Sequence, residues 1–316
     1  MNPISVAIAT LIHYNVEVRD TLEYCINKTQ YDTRLYDEKK RAILIEIEEK
    51  TPLKDILSRS GDNGAKLEKQ IREFHEEVYG DGSTILKKAD DGLRVDAAQH
   101  LAIYKHVIPV HEQVNAIILG LINDAHKNKQ DVAQVEALWN ADERFYRGLA
   151  MMTLTADLIK LFDDFNKAMR ENKGQPNPSS NFIQQDITMV IGHINTVRVN
   201  ARVPQLDYKE GVEDKVTALV ENISGRRELK PGLKLPDVFR DVQTSIADYV
   251  KSTEGVFRTL YVPAMQALIE QAKVDQAKRE SGAIPETPTP TEKVEEKKES
   301  FGEGDDIPLS LDGNKA

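Results

Sequence analysis

The side chains best suited to chemistry in this chain are its histidines. His100, His106 and His111 lie in one segment with helical spacing. At ~100° per residue, His100 and His111 point almost the same way but stand about three turns apart, while His106 points elsewhere. A straight helix cannot bring the three to one metal ion. His13 and Glu17 have the i,i+4 spacing of a metal-ligand pair, and Asp96 and His100 that of a helical ion pair. Known metal patterns fail. The Glu-x-x-His motif of di-iron bundles needs an acid three residues before a histidine, and those positions hold Thr10, Arg72, Ala97, Ile103, Ile108, Asn123 and Val190. His-Glu-x-x-His fails at Tyr79 and Asn115. Gly61–Lys66 does not match a phosphate loop, no Gly-x-Ser-x-Gly elbow is present, and Cys25 has no local dyad partner. The expectation is no catalytic residue, no bound metal and no cofactor. The alternative is a metal-binding or enzymatic bundle using His100, His106, His111 or His193.

Basic residues offer a second kind of site. Arg198 and Arg202 are i,i+4 neighbours near a helix end, and Arg226, Arg227, Lys230 and Lys234 follow in a loop-like stretch. They could receive an anionic partner, or simply complement helix C-termini. No aromatic residue interleaves with them, which argues against a platform for single-stranded nucleic acid.

The elements that position these groups are helices. Ile103, Val107, Val110, Val114, Ile117 and Leu121 are spaced 4-3-4-3-4, as are Ile183, Ile187, Val190, Ile194, Val197 and Ala201. Leu154, Leu158, Leu161, Phe165 and Ala168 run 4-3-4-3, and Phe239, Val242, Ile246, Tyr249, Thr253, Val256 and Leu260 run 3-4-3-4-3-4. Each set draws an apolar seam along a helix. No period-2 pattern of similar length competes. Helices are expected over 3–30, 33–50, 52–59, 63–79, 92–127, 131–172, 181–202, 208–224 and 236–279. Thr51-Pro52 reads as a cap followed by proline at the first helical position. Asp131 with Gln134 and Asn181 with Gln184 resemble capping boxes. Pro109 and Pro263 fall inside helical patterns, where each should kink or break its helix. The fold class is all-α: an elongated multi-helix bundle with coiled-coil-like packing. Its division is 1–173 for an N-terminal bundle and 181–280 for a C-terminal helical region that packs on it or forms a second subdomain.

Residues 281–316 are different. They hold nine acids against four bases, so they contribute half of the chain's net charge of -10. With Pro285-Glu286-Thr287-Pro288-Thr289-Pro290 and few apolar residues, this stretch cannot offset the ~1–2 kcal/mol per residue of lost backbone freedom, and a disordered acidic tail is expected. Residues 1–280 are nearly balanced, with 43 acids and 38 bases. Within the tail, Phe301-Gly302-Glu303-Gly304-Asp305-Asp306-Ile307-Pro308-Leu309 resembles the acidic tip of bacterial single-stranded-DNA-binding proteins, which ends in Asp-Asp-Ile-Pro-Phe-like sequences. That resemblance implies recruitment of genome-maintenance partners through Asp305, Asp306 and the apolar end. Leu309 stands where the family has phenylalanine, and the helical body does not look like that family's β-rich fold. More generally, Ile307, Leu309 and Leu311 suit a short docking motif that folds on a partner.

The longest apolar run, Val114–Ile122, is short of the ~20 residues that span a bilayer, so no membrane insertion is expected. The apolar N-terminus lacks a basic leading region, so a signal peptide is not expected. The reading is a cytoplasmic, non-enzymatic structural, assembly or adaptor protein. It acts through a protein partner or self-association, using Arg198, Arg202, Arg226, Arg227, Phe301, Asp305, Asp306, Ile307 and Leu309. Nucleic acid is the less favoured partner, through a role in nucleic-acid metabolism with the tail as recruiter.

Overall fold

The computed structural model describes residues 2–27, 51–79, 97–199 and 212–280. These form eight helices and no strand: α1 (Pro3–Asn27), α2 (Pro52–Arg59), α3 (Gly61–Tyr79), α4 (Ala97–Lys127), α5 (Ala133–Glu171), α6 (Pro178–Val199), α7 (Val212–Ile223) and α8 (Leu235–Glu280). The chain is all-α, as its periodicity requires. Residues Met1–Ala272 make one compact unit and a second begins at Lys273. The helix expected over 33–50 and the tail 281–316 lie outside the described residues.

Local chemistry sets the helix starts. Thr51 accepts a hydrogen bond from the Lys54 amide at 3.1 Å, and Pro52 opens α2. At α6 the cap falls earlier than the Asn181–Gln184 pattern suggests. Asn177 Oδ1 accepts from the Ser180 amide at 2.8 Å, and Ser180 Oγ accepts from the Asn177 amide at 2.9 Å. This reciprocal box, followed by Pro178, starts the helix within the expected loop. At α5 the box with Gln134 does not form. Val132 is the cap residue without a side-chain bond, and Asp131 Oδ1 instead accepts from the Ala133 amide at 3.1 Å. The Asp131 carbonyl also accepts from Asn2 Nδ2 at 2.8 Å, tying the start of α1 to the start of α5.

Both internal prolines sit inside continuous helices. The carbonyls they free belong to Lys105 and Thr259, both exposed, so water can take the lost bond.

The core follows the seams. Ile103, Val107, Val110, Val114 and Ile117 of α4 are buried, as are Ile187, Val190, Ile194 and Val197 of α6. On α8 the seam holds from Phe239 to Thr253 and then slips: Val256 is 56% exposed, and Phe257 takes its place at 4%. A straight helix drifts ~20° per heptad against a 3.5 repeat, so the buried position moves by one residue after two heptads.

One helix has no outer face in its middle. From Ala141 to Met151 every α5 residue except Arg144 is buried. α5 packs most extensively on α6 and also meets α1 and α4. α8 crosses it at Gly148, where an added Cβ would lie 2.9 Å from Tyr249 Cδ1. The α2–α3 corner is closer still: a Cβ on Gly64 would overlap the Leu57 carbonyl.

Candidate functional site

A polar cluster occupies the middle of this core. α1 supplies Asn15 and Arg19, and α4 supplies His111 and Asn115. α5 supplies Trp139, Asp142, Glu143, Tyr146 and Arg147. Each of these residues is at most 3% exposed. The i,i+4 spacings on α1 and α4, and the turn-by-turn spacing on α5, put each set on one helix face. Arg19 pairs with Asp142, and its guanidinium lies 4.7 Å from the ring centres of both Phe145 and Phe257. Glu143 is the hub of the rest. It accepts from Arg147 Nε at 3.1 Å and from Asn115 Nδ2, and shares a 2.5 Å hydrogen bond with His111 Nε2. Trp139 Nε1 donates to Asn115 Oδ1 at 2.9 Å, and Arg147 Nη1 donates to the Val197 carbonyl of α6. The His111 ring stacks on Tyr146, centroids 3.5 Å apart.

The electrostatics follow from burial and pairing. Burial pushes the Glu143 carboxyl up, but His111 and Arg147 outweigh it and hold the group at about 2. Burial raises Asp142 by more than Arg19 and His111 lower it. The Tyr146 phenol is pushed well above its ordinary value by burial. Glu143 is thus an anion whose oxygens accept three hydrogen bonds, which leaves little capacity for proton abstraction. The cluster suits fastening α1, α4, α5 and α6 in one register, since a buried charge that loses its partner costs several kcal/mol.

The histidines are distributed among separate partners. His100 Nδ1 faces both Asp157 oxygens at 3.0 Å; Asp96, its expected i,i+4 partner, lies outside the described residues. His13 Nδ1 is 2.7 Å from the Tyr261 hydroxyl of α8. His126 meets Glu136 at 3.1 Å on the surface. His106 and His193 are half-buried, and burial lowers the pKa of each. Among the described residues, no group of three or more His, Cys, Asp or Glu is arranged to hold a metal ion. Among them, too, no helix is long and apolar enough to cross a membrane.

The basic residues fall at the two ends of α7. Arg198 Nη2 meets Glu213 at 3.4 Å at its start, and Arg227 Nη1 meets Glu221 at 3.3 Å at its end. Eight residues separate those carboxylates, about 12 Å along the axis. Arg226 is exposed beside Arg227. Arg202, Phe301, Asp305, Asp306, Ile307 and Leu309 lie outside the described residues. Arg227 lines an open cleft of about 600 Å³ between α7, the following loop and α8. Its apolar lining includes Leu229, Leu233, Val238 and Val242, and Lys215 bridges it to Asp241 at 2.9 Å. Leu233 is 47% exposed. Sequence reasoning noticed the bases of this stretch and passed over the leucines between them, which are the sharper signal of a surface that can take up an apolar group.

No protein-family model, curated protein or solved structure matches this chain. The assignment of function therefore rests on the geometry.

Proposed function

We infer that this is a non-enzymatic helical adaptor or assembly protein that acts through protein–protein contacts, with the α7–α8 cleft as a docking surface. The observation that supports this is the cleft itself: about 600 Å³, apolar along Leu229, Leu233 and Val238, and edged by Arg227, Lys230 and Glu228. A half-exposed leucine among charged groups is the arrangement of an interface, with an apolar centre and a polar rim. The buried ion cluster supports the same reading, because its charged groups are committed to one another. A cytoplasmic setting belongs to this reading, since the chain has a single cysteine and hence no internal disulfide.

The test is affinity capture with the full-length chain, comparing wild type with Leu233→Asp. Leu233 is outside the core, so the variant should melt with the wild type. A partner retained by the wild type and reduced at least tenfold by Leu233→Asp is the expected result. Identical capture by both proteins would refute the assignment.

A further inference from the structure

α6 packs on α5 and buries its inner seam, Ile187, Val190, Ile194 and Val197. It carries a second series on its outer side. Pro178, Phe182, Gln185, Met189, Gly192 and Thr196 follow the same 4-3-4-3-4 spacing, which draws one line along the helix. Phe182 is 67% exposed and Met189 48%, and a Cβ on Gly192 would meet nothing within 4 Å. Among the described side chains of α6, none that is exposed carries a charge. Its two charged residues are Asp186, which is half-buried, and Arg198, which meets Glu213. The hydroxyls along the outer side are already committed. Thr188 Oγ1 donates to the Gln184 carbonyl at 2.9 Å, and Thr196 Oγ1 to the Gly192 carbonyl at 3.0 Å. Covering this face therefore strands neither donor.

The spacing points to the occupant. A 4-3-4-3-4 series reads the same in both directions, here about residue 187. Two α6 helices laid antiparallel across a twofold axis at that point set Phe182 of each copy against Gly192 of the other. Gln185 then faces Met189, and Pro178 faces Thr196. A large exposed ring enters the space left by a residue without a side chain, so one sequence supplies both the knob and its hole. Charge favours the same occupant. Each copy carries a net -10, and two such chains repel least where neither presents a charge. We propose that the outer face of α6 pairs two copies of this chain, antiparallel, with Phe182 seated on the other copy's Gly192. The strip is about 27 Å long and about 10 Å wide. That is short of the ~800 Å² per partner of a standard interface, so the dimer is weak and forms with rising concentration. None of its residues lines the α7–α8 cleft, and the pairing goes beyond the reading of that cleft as a docking surface.

The experiment is sedimentation velocity of the full-length chain over a concentration series, at low and at high salt. The expected result is a reversible monomer–dimer shift that salt strengthens, because screening removes the repulsion between net charges and the face has no ion pair to lose. Phe182→Asp and Gly192→Phe should each weaken the dimer at least tenfold. Both positions are exposed, so thermal melting of each variant should match or exceed that of the wild type. Exchanging knob and hole, Phe182→Ala with Gly192→Phe, should restore the dimer, which only the antiparallel register allows. Leu233→Asp should leave it unchanged. A chain that stays monomeric throughout overturns the proposal, as does a dimer that Phe182→Asp leaves intact or an exchange that restores nothing. A dimer lost in Leu233→Asp but kept in Phe182→Asp also overturns it, and moves self-association to the cleft. If the α6 variants change nothing while Leu233→Asp still loses a captured partner, the pairing alone falls and the docking surface stands.

Discussion

Arg19 of α1 and Asp142 of α5 form an ion pair at the centre of the bundle, 3% and 0% exposed, with the guanidinium held against Phe145 and Phe257. Two charges this far from water are stable only together, and that dependence makes the first of three predictions.

Replacing one member strands the other. Arg19→Met and Asp142→Leu are each expected to lower unfolding stability by about 3–5 kcal/mol. The double variant should lose less than the sum of the two by more than about 1 kcal/mol, because residues in direct contact are coupled. Urea midpoints of the four proteins measure this. Additive losses would show that the pair is not an energetic unit.

Glu143 makes stability depend on acid. Its folded pKa, about 2, lies below its ordinary 4.5. A lowered carboxyl contributes stability that is fully present above pH 4.5 and lost as the pH falls toward 2, on the order of 3 kcal/mol in all. Asp142 acts with the opposite sign. Burial raises it above 3.8, so its contribution is most favourable below that value and diminishes as the pH rises through the folded pKa. The slope of stability against pH between 5 and 3 should therefore be shallower in Glu143→Gln than in the wild type. Denaturation curves across that range are the check, and equal slopes would remove Glu143 from the acid response.

Two glycines on neighbouring helices should respond oppositely to the same added methyl. A Cβ on Gly148 meets Tyr249 at 2.9 Å and Val250 Cγ2 at 3.1 Å, so Gly148→Ala must push α5 and α8 apart, at about 1–3 kcal/mol. Gly120 of α4 is exposed with nothing within 4 Å, and alanine there should stabilise the helix by about 0.5–1 kcal/mol. At roughly 2–4 °C per kcal/mol, thermal melting should separate the variants clearly, one below the wild type and one above it.

Much of this fold is legible in residue spacing, because a seam with a 3-4 repeat has only one economical use. The seams of α4 and α6 are buried nearly residue for residue. The same logic failed at Val256, where a fixed repeat was extended past the point at which a straight helix drifts off it. Spacing is silent on the first half of α5, where Asp142, Glu143 and Arg147, charged by type, are among the most shielded residues of the unit. Charge in sequence signals exposure only when the opposite charge is absent from the packing helices, and Arg19 and His111 are far away along the chain. The same non-locality hid the partners of His100 and His13. The cleft was half legible: Arg227 stood out by type, while Leu233 was inconspicuous until α8 was placed beside it.

The chain has a single tryptophan, Trp139, and its indole donates to Asn115 within the polar cluster. Every other aromatic residue is a phenylalanine, tyrosine or histidine. Selective excitation of the indole therefore illuminates one place in the whole chain, the junction of α1, α4 and α5. The protein carries a built-in optical reporter there, whose emission colour and quenching register loosening of the charged centre without a label and without interference from the cleft or the acidic segment.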